Sequence, residues 1–257
     1  MCTVTIHRLA SALSVTMNRD ESRLRAAEEP PTLRLPEAAP AVLAPRDGAA
    51  GGSWCGVNDR GVVACLLNLY SERSGPGPEV PPGGRTRGDL IDIALQGTCA
   101  ASARARVEEE VRPGVFSPFR LAVVTPEDGW LVIWRGHGAI EVEELGGEWV
   151  FLTSSSWRAR EVLPWREERF SAWRGEGAEE VEGIPTFHLW QPAGREEWAP
   201  LVSRERSVTR SITGIIVERD PGQASMRYWV DPTAAARAPD AKAVLPLRAP
   251  AAPESLP

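Results

Sequence analysis

The alternation of apolar and polar residues predicts a chain built largely of β-strands. Residues 3–9 and 12–17 alternate with the period of strands that bury one face. The segment GGSWCGVNDRGVVACLLNLY predicts two further strands around a turn at 58–61, where Gly61 would adopt a positive φ. Residues 28–50 are rich in Pro, Ala and Glu and predict an irregular excursion.

The rest of the chain adds helices to this strand pattern. Residues 89–111 and 162–173 have the spacing of amphipathic helices, and the Pro/Gly-rich segment 74–88 predicts a loop. Further strands are predicted at FRLAVVT, WLVIWRG, AIEVEEL and EWVFLTSSS, and in a late hairpin of SVTRSITGIIVER with ASMRYWV. Strands on both sides of two helical stretches indicate an α+β fold with mostly antiparallel sheets.

Length and composition predict one globular domain at residues 1–231 and a disordered Pro/Ala-rich tail at 232–257. The chain has 42% hydrophobic and 25% charged residues, which is ordinary for a globular protein. No apolar run approaches the roughly 20 residues that a membrane span needs. We therefore expect no membrane span.

The charge balance argues against nucleic acid as a partner. The formal net charge is −6, and basic residues are interleaved with acidic ones, as in RARVEEEVR. Lys242 is the single lysine, and Asn occurs only at 18, 58 and 68, which is typical of a GC-rich genome. We expect the three retained Asn to mark positions in the candidate site where an amide is needed.

The Cys and His residues show no metal-ligand spacing, so we expect neither a metal nor a cofactor. They lie at Cys2, Cys55, Cys65, Cys99, His7, His137 and His188. Three of the cysteines, all but Cys2, are expected to be small buried apolar residues. Because the N-terminus is a poor signal peptide, we expect these thiols to be reduced in the cytoplasm.

Cys2 is the sharpest chemical feature of the sequence. Aminopeptidases remove an initiator Met that precedes a small residue, which would make Cys2 the mature N-terminus. One residue would then carry a thiol and an α-amine that accepts the thiol proton, so no His base is needed. Many proteins begin with Met-Cys by chance, and the context of Cys2 therefore decides its significance.

A hairpin would bring polar groups to Cys2. If the first two strands pair, Arg19 faces the sulfur and Asp20 can bind or orient the α-ammonium. Asn68, at the end of a later strand, can donate to an oxyanion. Arg19 and Asp20 are equally suited to an ordinary turn, and Asn68 to a strand end with satisfied hydrogen bonds.

Nine motifs in register resemble the NRDE family, also called the transport-and-Golgi-organisation family. They are MC, NRDE at 18–21, GGSWCGVNDRG, LLNLY, TRGDL, SPFRLAVV, VFLTSSS, VLPW and TRSIT, and they span residues 1 to about 230. The family is similar to choloylglycine hydrolases and penicillin V acylases. That similarity implies a four-layer αββα fold with an N-terminal Cys nucleophile.

The resemblance also implies roles for individual residues. Cys2 would be the nucleophile, Arg19 and Asp20 would support it, and Asn68 would line the oxyanion site. Ser154 stands where the family has an Asn, and its shorter side chain would weaken or redirect hydrolysis. Arg210 is the best match for a further Arg of the acyl hydrolases. These six residues, Cys2, Arg19, Asp20, Asn68, Ser154 and Arg210, form the predicted site.

Two functions remain open at this stage. The first is an N-terminal cysteine amidohydrolase that cleaves a C–N amide bond of a small molecule. The alternative is a binding or trafficking protein that handles haem, as suggested for some family members, with His7, His137 or His188 as axial ligand. The tryptophans of the middle segment are expected in the core, or at a pocket that takes an apolar acyl group; they are Trp130, Trp134, Trp149, Trp157 and Trp165.

Overall fold

A computed structural model describes residues 2–70, 80–220, 222–235 and 237–248. Its first sheet has six antiparallel strands in the order β10-β1-β2-β13-β14-β15. These strands are β1 (Cys2–Arg8), β2 (Ala12–Ser22), β10 (Trp149–Thr153), β13 (Ser207–Glu218), β14 (Gln223–Val230) and β15 (Ala241–Pro246). The first two strands pair as the predicted hairpin, and so do β13 and β14.

The second sheet has seven antiparallel strands that follow one another in chain order from β3 to β9. They are β3 (Glu29–Arg34), β4 (Val42–Arg46), β5 (Cys55–Asn58), β6 (Val63–Asn68), β7 (Phe119–Val124), β8 (Gly129–Trp134) and β9 (Glu141–Glu144). A small ribbon of β11 (Glu180–Val181) and β12 (Ile184–Pro185) lies apart from both sheets. The predicted turn between β5 and β6 is present, with Gly61 at φ +76°.

The sheets stack face to face, and helices cover their outer faces. The central core joins Val4 and Met17 of the first sheet to Cys65 and Leu67 of the second. The helices are α1 (Asp89–Ala94), α2 (Ala100–Glu110), α3 (Ala159–Gly175) and α4 (Thr186–Leu189). The first two pack on the outer face of the seven-stranded sheet, and α3 packs on β10. These layers confirm the predicted αββα arrangement.

Long-range strand pairing corrects two predictions. Residues 28–50 are not irregular, because β3 and β4 form the edge of the seven-stranded sheet. The prediction of a disordered tail is wrong at Ala241–Pro246, since β15 pairs with β14 and places Leu245 in the central core. The predicted loop at 74–79 and the tail at 249–257 lie outside the described residues.

A close backbone contact corrects the single helix predicted at 89–111. A side chain at Gly97 would meet the backbone of Ala103 at 2.5 Å, so the chain turns there and separates α1 from α2. Cys99 is exposed rather than buried, because it caps α2 by accepting a hydrogen bond from the Ser102 amide at 3.4 Å. In the described ranges no helix has the length and apolar character to cross a bilayer.

Candidate active site

Cys2 begins the strand at the centre of the predicted site. It pairs with Arg19 of β2, as the hairpin prediction requires. On the other side, its backbone N–H donates to the Ser154 hydroxyl at 3.0 Å, and its carbonyl accepts from the Ser154 amide at 2.9 Å. Only 8% of the Cys2 surface is exposed. The nucleophile candidate is therefore held on both sides within a sheet.

A cavity of about 240 Å³ opens at Cys2. It brings together four of the six predicted site residues: Cys2, Arg19, Asp20 and Asn68. The remaining lining residues are polar or small for the most part: Glu21, Arg25, Asp47, Ala50, Gly52, Ser53, Trp54, Leu66, Tyr70, Thr86, Arg87 and Gly88. Three arginines and three carboxylates share this wall, so the cavity suits a small polar molecule.

Several neighbours act on the pKa of the Cys2 thiol. Burial raises this pKa, and so does the negative charge of Asp20, whereas the positive charge of Arg19 and a hydrogen bond from the Asp20 backbone N–H lower it without cancelling the rise. A buried neutral thiol needs a base to become a nucleophile. The nearest group of that kind after removal of Met1 is the α-amine on the same residue.

The guanidinium of Arg19 is fixed by several partners. It forms an ion pair with Glu28 at 3.0 Å and a second one with Asp47, and it lies 4.5 Å from the centre of the Trp54 ring. Arg25 binds both oxygens of Asp47, at 2.7 and 2.9 Å. Burial raises the pKa of Asp47, but these hydrogen bonds outweigh it and lower that pKa to about 2. The Asp47 carboxylate therefore stays ionised near neutral pH.

Asp20 is a buried acidic residue next to the candidate nucleophile. Its Oδ1 accepts a hydrogen bond from the Thr209 hydroxyl at 2.7 Å. Burial raises the pKa of Asp20, and the positive charge of Arg166 is the strongest opposing influence from a side chain. Its contact to the α-ammonium of Cys2 stays a prediction.

The other three predicted residues are placed differently from one another. Asn68 lines the cavity and donates from Nδ2 to the Tyr70 hydroxyl at 3.0 Å. Ser154 lies behind Cys2, where it anchors the backbone nitrogen. Arg210 donates to the carbonyl of Arg25 at 3.2 Å and lies 3.9 Å from Glu28, outside the set of residues that line the cavity. Arg210 is therefore connected to the cavity indirectly, through Arg25 and through Glu28.

Sequence patterns gave little indication of several residues at the site. Glu28 and Asp47 lie in the segment predicted to be irregular, and Arg166 lies in a helix. Trp54 was recognisable only as part of the GGSWCGV motif.

Of the five tryptophans in the middle segment, Trp134 is fully buried and the others are half-buried. None of those five is among the cavity residues, which supports the packing interpretation of this cluster.

The histidines are poorly placed to hold a metal ion or haem. His188 is fully buried, and its ring nitrogens bond to Thr5 at 2.8 Å and Asn18 at 2.7 Å. His7 stacks on Trp149 with 3.7 Å between ring centres. His137 is exposed after β8. Among the described residues, no group of three or more His, Cys, Asp or Glu could hold a metal ion.

Solved structures with similar folds include hydrolases. An N-acylethanolamine-hydrolysing acid amidase orthologue from Caenorhabditis elegans superposes with a TM-score of 0.57 at 12% identity, covering 83% of this chain and 92% of that one. Penicillin V acylase from Agrobacterium tumefaciens has a TM-score of 0.49 at 11% identity, covering 90% and 86%. A C2A mutant of conjugated bile acid hydrolase from Clostridium perfringens has 0.45 at 9%, covering 95% and 92%. The first similarity places the chain in the N-terminal-nucleophile hydrolase fold.

Sequence comparison identifies the family. No curated protein matches the chain. The family model described as Transport and Golgi organisation 2 matches residues 1–167, which include the paired strands at Cys2, the turn at Gly61 and the strand that ends at Asn68. The chain therefore belongs to the Transport and Golgi organisation 2 family.

Proposed function

We propose that this protein is an N-terminal cysteine amidohydrolase that cleaves a C–N amide bond of a small molecule. The observation that carries the proposal is the shared cavity of Cys2, Arg19, Asp20 and Asn68 at the first residue of β1. A thiol, a cation, a carboxylate and an amide donor are the groups that acyl transfer from a small amide requires.

When Met1 is removed, the backbone nitrogen of Cys2 becomes the free α-amine of the chain. That amine takes the thiol proton, and Sγ attacks the substrate carbonyl carbon. The C–N bond then breaks, the departing amine takes the proton back from the α-ammonium, and the acyl group stays on sulfur as a thioester. Water, deprotonated by the α-amine, attacks the thioester, so that the acid is released and the thiol is regenerated.

Four neighbours assist these steps. Arg19 favours the thiolate electrostatically, and Asp20 stabilises the α-ammonium that forms when the thiol is deprotonated. Asn68 Nδ2, now directed at the Tyr70 hydroxyl, is the donor for the oxyanion of the tetrahedral intermediate. Ser154 positions the nitrogen that acts as the base.

The cavity limits the substrate. Its volume of about 240 Å³ lies below the roughly 300–1,000 Å³ of drug-sized ligand pockets. Arginines and carboxylates dominate its wall, and Trp54 is the one tryptophan in it. The nematode relative is named for hydrolysing N-acylethanolamines, which supports an amide as the bond cleaved. We infer a small, polar amide.

Intact-mass analysis and acyl trapping test the proposal. Met1 lies outside the described residues, and the mass of the purified protein measures its removal. p-Nitrophenyl acetate should then add one acetyl group to Cys2. The matched control is Cys99→Ser, since Cys99 is the exposed cysteine and serine can replace it as a helix cap.

The outcomes of this experiment separate clearly. The proposal expects Cys2→Ala to abolish acetylation at the site and Cys99→Ser to leave it intact. Retention of Met1, or equal labelling of wild type and Cys2→Ala at the same peptide, contradicts it.

The haem-handling alternative gains no support from His188, whose nitrogens are both hydrogen-bonded, and would depend on His7 or His137.

A further inference from the structure

Arg166 is a fully buried arginine in the middle of α3. The helix buries Val162, Arg166 and Phe170, which follow one another at intervals of four residues and form its inner face. A charged side chain on that face is costly unless it is hydrogen-bonded and electrically compensated. Its contacts show what compensates it.

One side of the guanidinium holds the start of β1 against β10. Nη1 donates to the Thr153 hydroxyl at 2.9 Å and to the Thr3 hydroxyl at 3.2 Å. Thr3 and Thr153 are direct partners across the two strands, and each is adjacent in sequence to a residue of the site, Cys2 or Ser154. Thr153 also donates to the carbonyl of Cys2 at 3.4 Å. The Thr153 hydroxyl therefore links the Arg166 guanidinium to the backbone carbonyl of Cys2.

The other side of the guanidinium binds the loop that follows α4. Nε donates to the Trp198 carbonyl at 2.7 Å, and Nη2 donates to the Ala199 carbonyl at 2.7 Å. The neighbouring residue, Pro200, accepts from Asn18 Nδ2 at 2.9 Å. Arg166 thus joins the helix layer, the loop and the sheet at one point behind Cys2.

The charge of Arg166 is balanced by Asp20. Within the described ranges, no ion pair of 4.0 Å or less reaches the Arg166 guanidinium. Burial lowers the pKa of Arg166 to about 10, and the negative charge of Asp20 is the strongest influence against it. Conversely, burial raises the pKa of Asp20, and Arg166 leads the side-chain charges that oppose the rise. The loop residue Arg204 is a further cation that acts on Asp20, and the negative charge of Asp20 in turn raises the pKa of the Cys2 thiol.

We propose that Arg166 is a positioning residue for Cys2: it fixes the β1–β10 strand ends through the Thr3 and Thr153 hydroxyls, and its buried guanidinium compensates the charge of Asp20. The catalytic meaning of this role rests on the proposed function. The charge coupling itself is a property of the fold and can be measured without turnover.

A double-mutant cycle between Arg166→Met and Asp20→Asn tests the charge coupling. Asp20→Asn should lower the Tm of the wild-type protein, since it leaves the guanidinium buried without its counter-charge. The same change should raise the Tm of the Arg166→Met protein, because there it removes a buried carboxylate that has lost the side-chain cation acting on it most strongly. A purely hydrogen-bonding role for Arg166 predicts no such reversal of sign.

Two further variants keep the cycle decisive. Arg166→Lys retains the charge, so Asp20→Asn should still lower its Tm. Arg169→Met, an exposed arginine of the same helix, should leave the effect of Asp20→Asn as in wild type. If Arg166→Met does not fold, restoration of folding by Asp20→Asn supports the proposal. An effect of Asp20→Asn that is the same in both backgrounds, or no restoration, overturns it.

Thr153→Val tests the strand-end contact separately. In the Cys99→Ser background, iodoacetamide should alkylate Cys2 about fivefold more slowly after this change, which corresponds to the loss of one hydrogen bond. An unchanged alkylation rate would refute the positioning role. Neither measurement uses amide hydrolysis, so a protein that is never acylated would contradict the proposed function and leave this coupling standing.

Discussion

Cys2 and Arg19 are direct partners across the antiparallel pair of β1 and β2. Direct partners place their side chains on the same face, so the register alone brings the guanidinium beside the thiol. Glu28, Asp47 and the Trp54 ring then hold the guanidinium in place. The cation at the nucleophile is therefore part of the framework and need not be ordered by a substrate.

Arg19→Gln should make Cys2 less reactive and the fold less stable. The positive charge of Arg19 lowers the pKa of the Cys2 thiol, so its loss should move the midpoint of pH-dependent alkylation to higher pH. Removing one partner of a buried ion pair costs about 3–5 kcal/mol, and the Glu28 side chain is only 3% exposed. Arg46→Gln, at an exposed arginine, is the control. An unchanged midpoint in Arg19→Gln would remove Arg19 from the mechanism.

Ser154→Ala should slow acylation of Cys2 while leaving the fold largely intact. The change removes the acceptor at 3.0 Å from the Cys2 nitrogen, which is the proposed base once Met1 is removed. The loss of one such hydrogen bond corresponds to about 1 kcal/mol, or a fivefold slower reaction. Burst kinetics with p-nitrophenyl acetate measure this rate. Ser156→Ala, at an exposed position two residues later, should acylate at the wild-type rate, and equal rates for both variants would argue against the anchor.

Local patterns were sufficient to predict the elements that bear Cys2 and Arg19. The alternation of residues 3–9 and 12–17 is a property of each strand, and a short connection leaves few ways to pair them. Glu28 and Asp47 were missed because β3 and β4 are defined by pairing at the sheet edge, in a segment whose Pro and Ala content conceals the strands. Their contribution to the site depends on tertiary contacts that no local window contains.

Arg166 was missed for a different reason, although the sequence did carry a signal. Its position four residues after Val162 and four before Phe170 puts it on the buried face of the predicted helix. A charged residue on an apolar face predicts that a buried counter-charge lies elsewhere in the chain. It does not predict which residue carries that counter-charge. The tertiary structure places the charge of Asp20, in β2, where it acts on Arg166.

Of the three asparagines expected at the candidate site, one lies there and two have a structural role elsewhere. Asn68 lines the cavity, as expected for a residue of the site. Asn18 and Asn58 are fully buried, and the cavity lining does not include them. Asn18 binds the carbonyls of His188 and Pro200, and Asn58 those of Leu95 and Gly97. The scarcity of Asn therefore marks amides with two backbone acceptors as well as the candidate site.

His188 should make the protein less stable below neutral pH. Burial lowers its pKa from 6.5 to about 3, so the unfolded chain binds a proton that the folded chain excludes. Stability is complete above the unfolded pKa and falls as pH decreases from about 6.5 towards 3, by about 2 kcal/mol between pH 7 and 5. Denaturant unfolding over this range measures the slope. His188→Gln should flatten it and the exposed His137→Gln should not; equal slopes for wild type and His188→Gln would contradict the assignment.

Asn58→Asp should be strongly destabilising although it changes a single atom. Nδ2 of Asn58 donates to Leu95 at 2.8 Å and to Gly97 at 2.7 Å, so a carboxylate there would face two carbonyl oxygens in a buried site. The cost is about 3 kcal/mol or more. Because a protonated carboxyl can donate one of the lost hydrogen bonds, the destabilisation should shrink as pH falls.

Asn68→Asp is the matched comparison for that change. Asn68 is half-buried with a single bond to Tyr70, so the free energy of unfolding should fall by less than about 1 kcal/mol. Acylation of Cys2 should nevertheless fall by about 10²-fold or more, since the negative charge replaces an oxyanion donor. Chemical denaturation and burst kinetics on both variants separate the two effects. If the two changes had the same effect on unfolding, the structural role of Asn58 would be refuted; an unchanged burst in Asn68→Asp would exclude Asn68 from the oxyanion site.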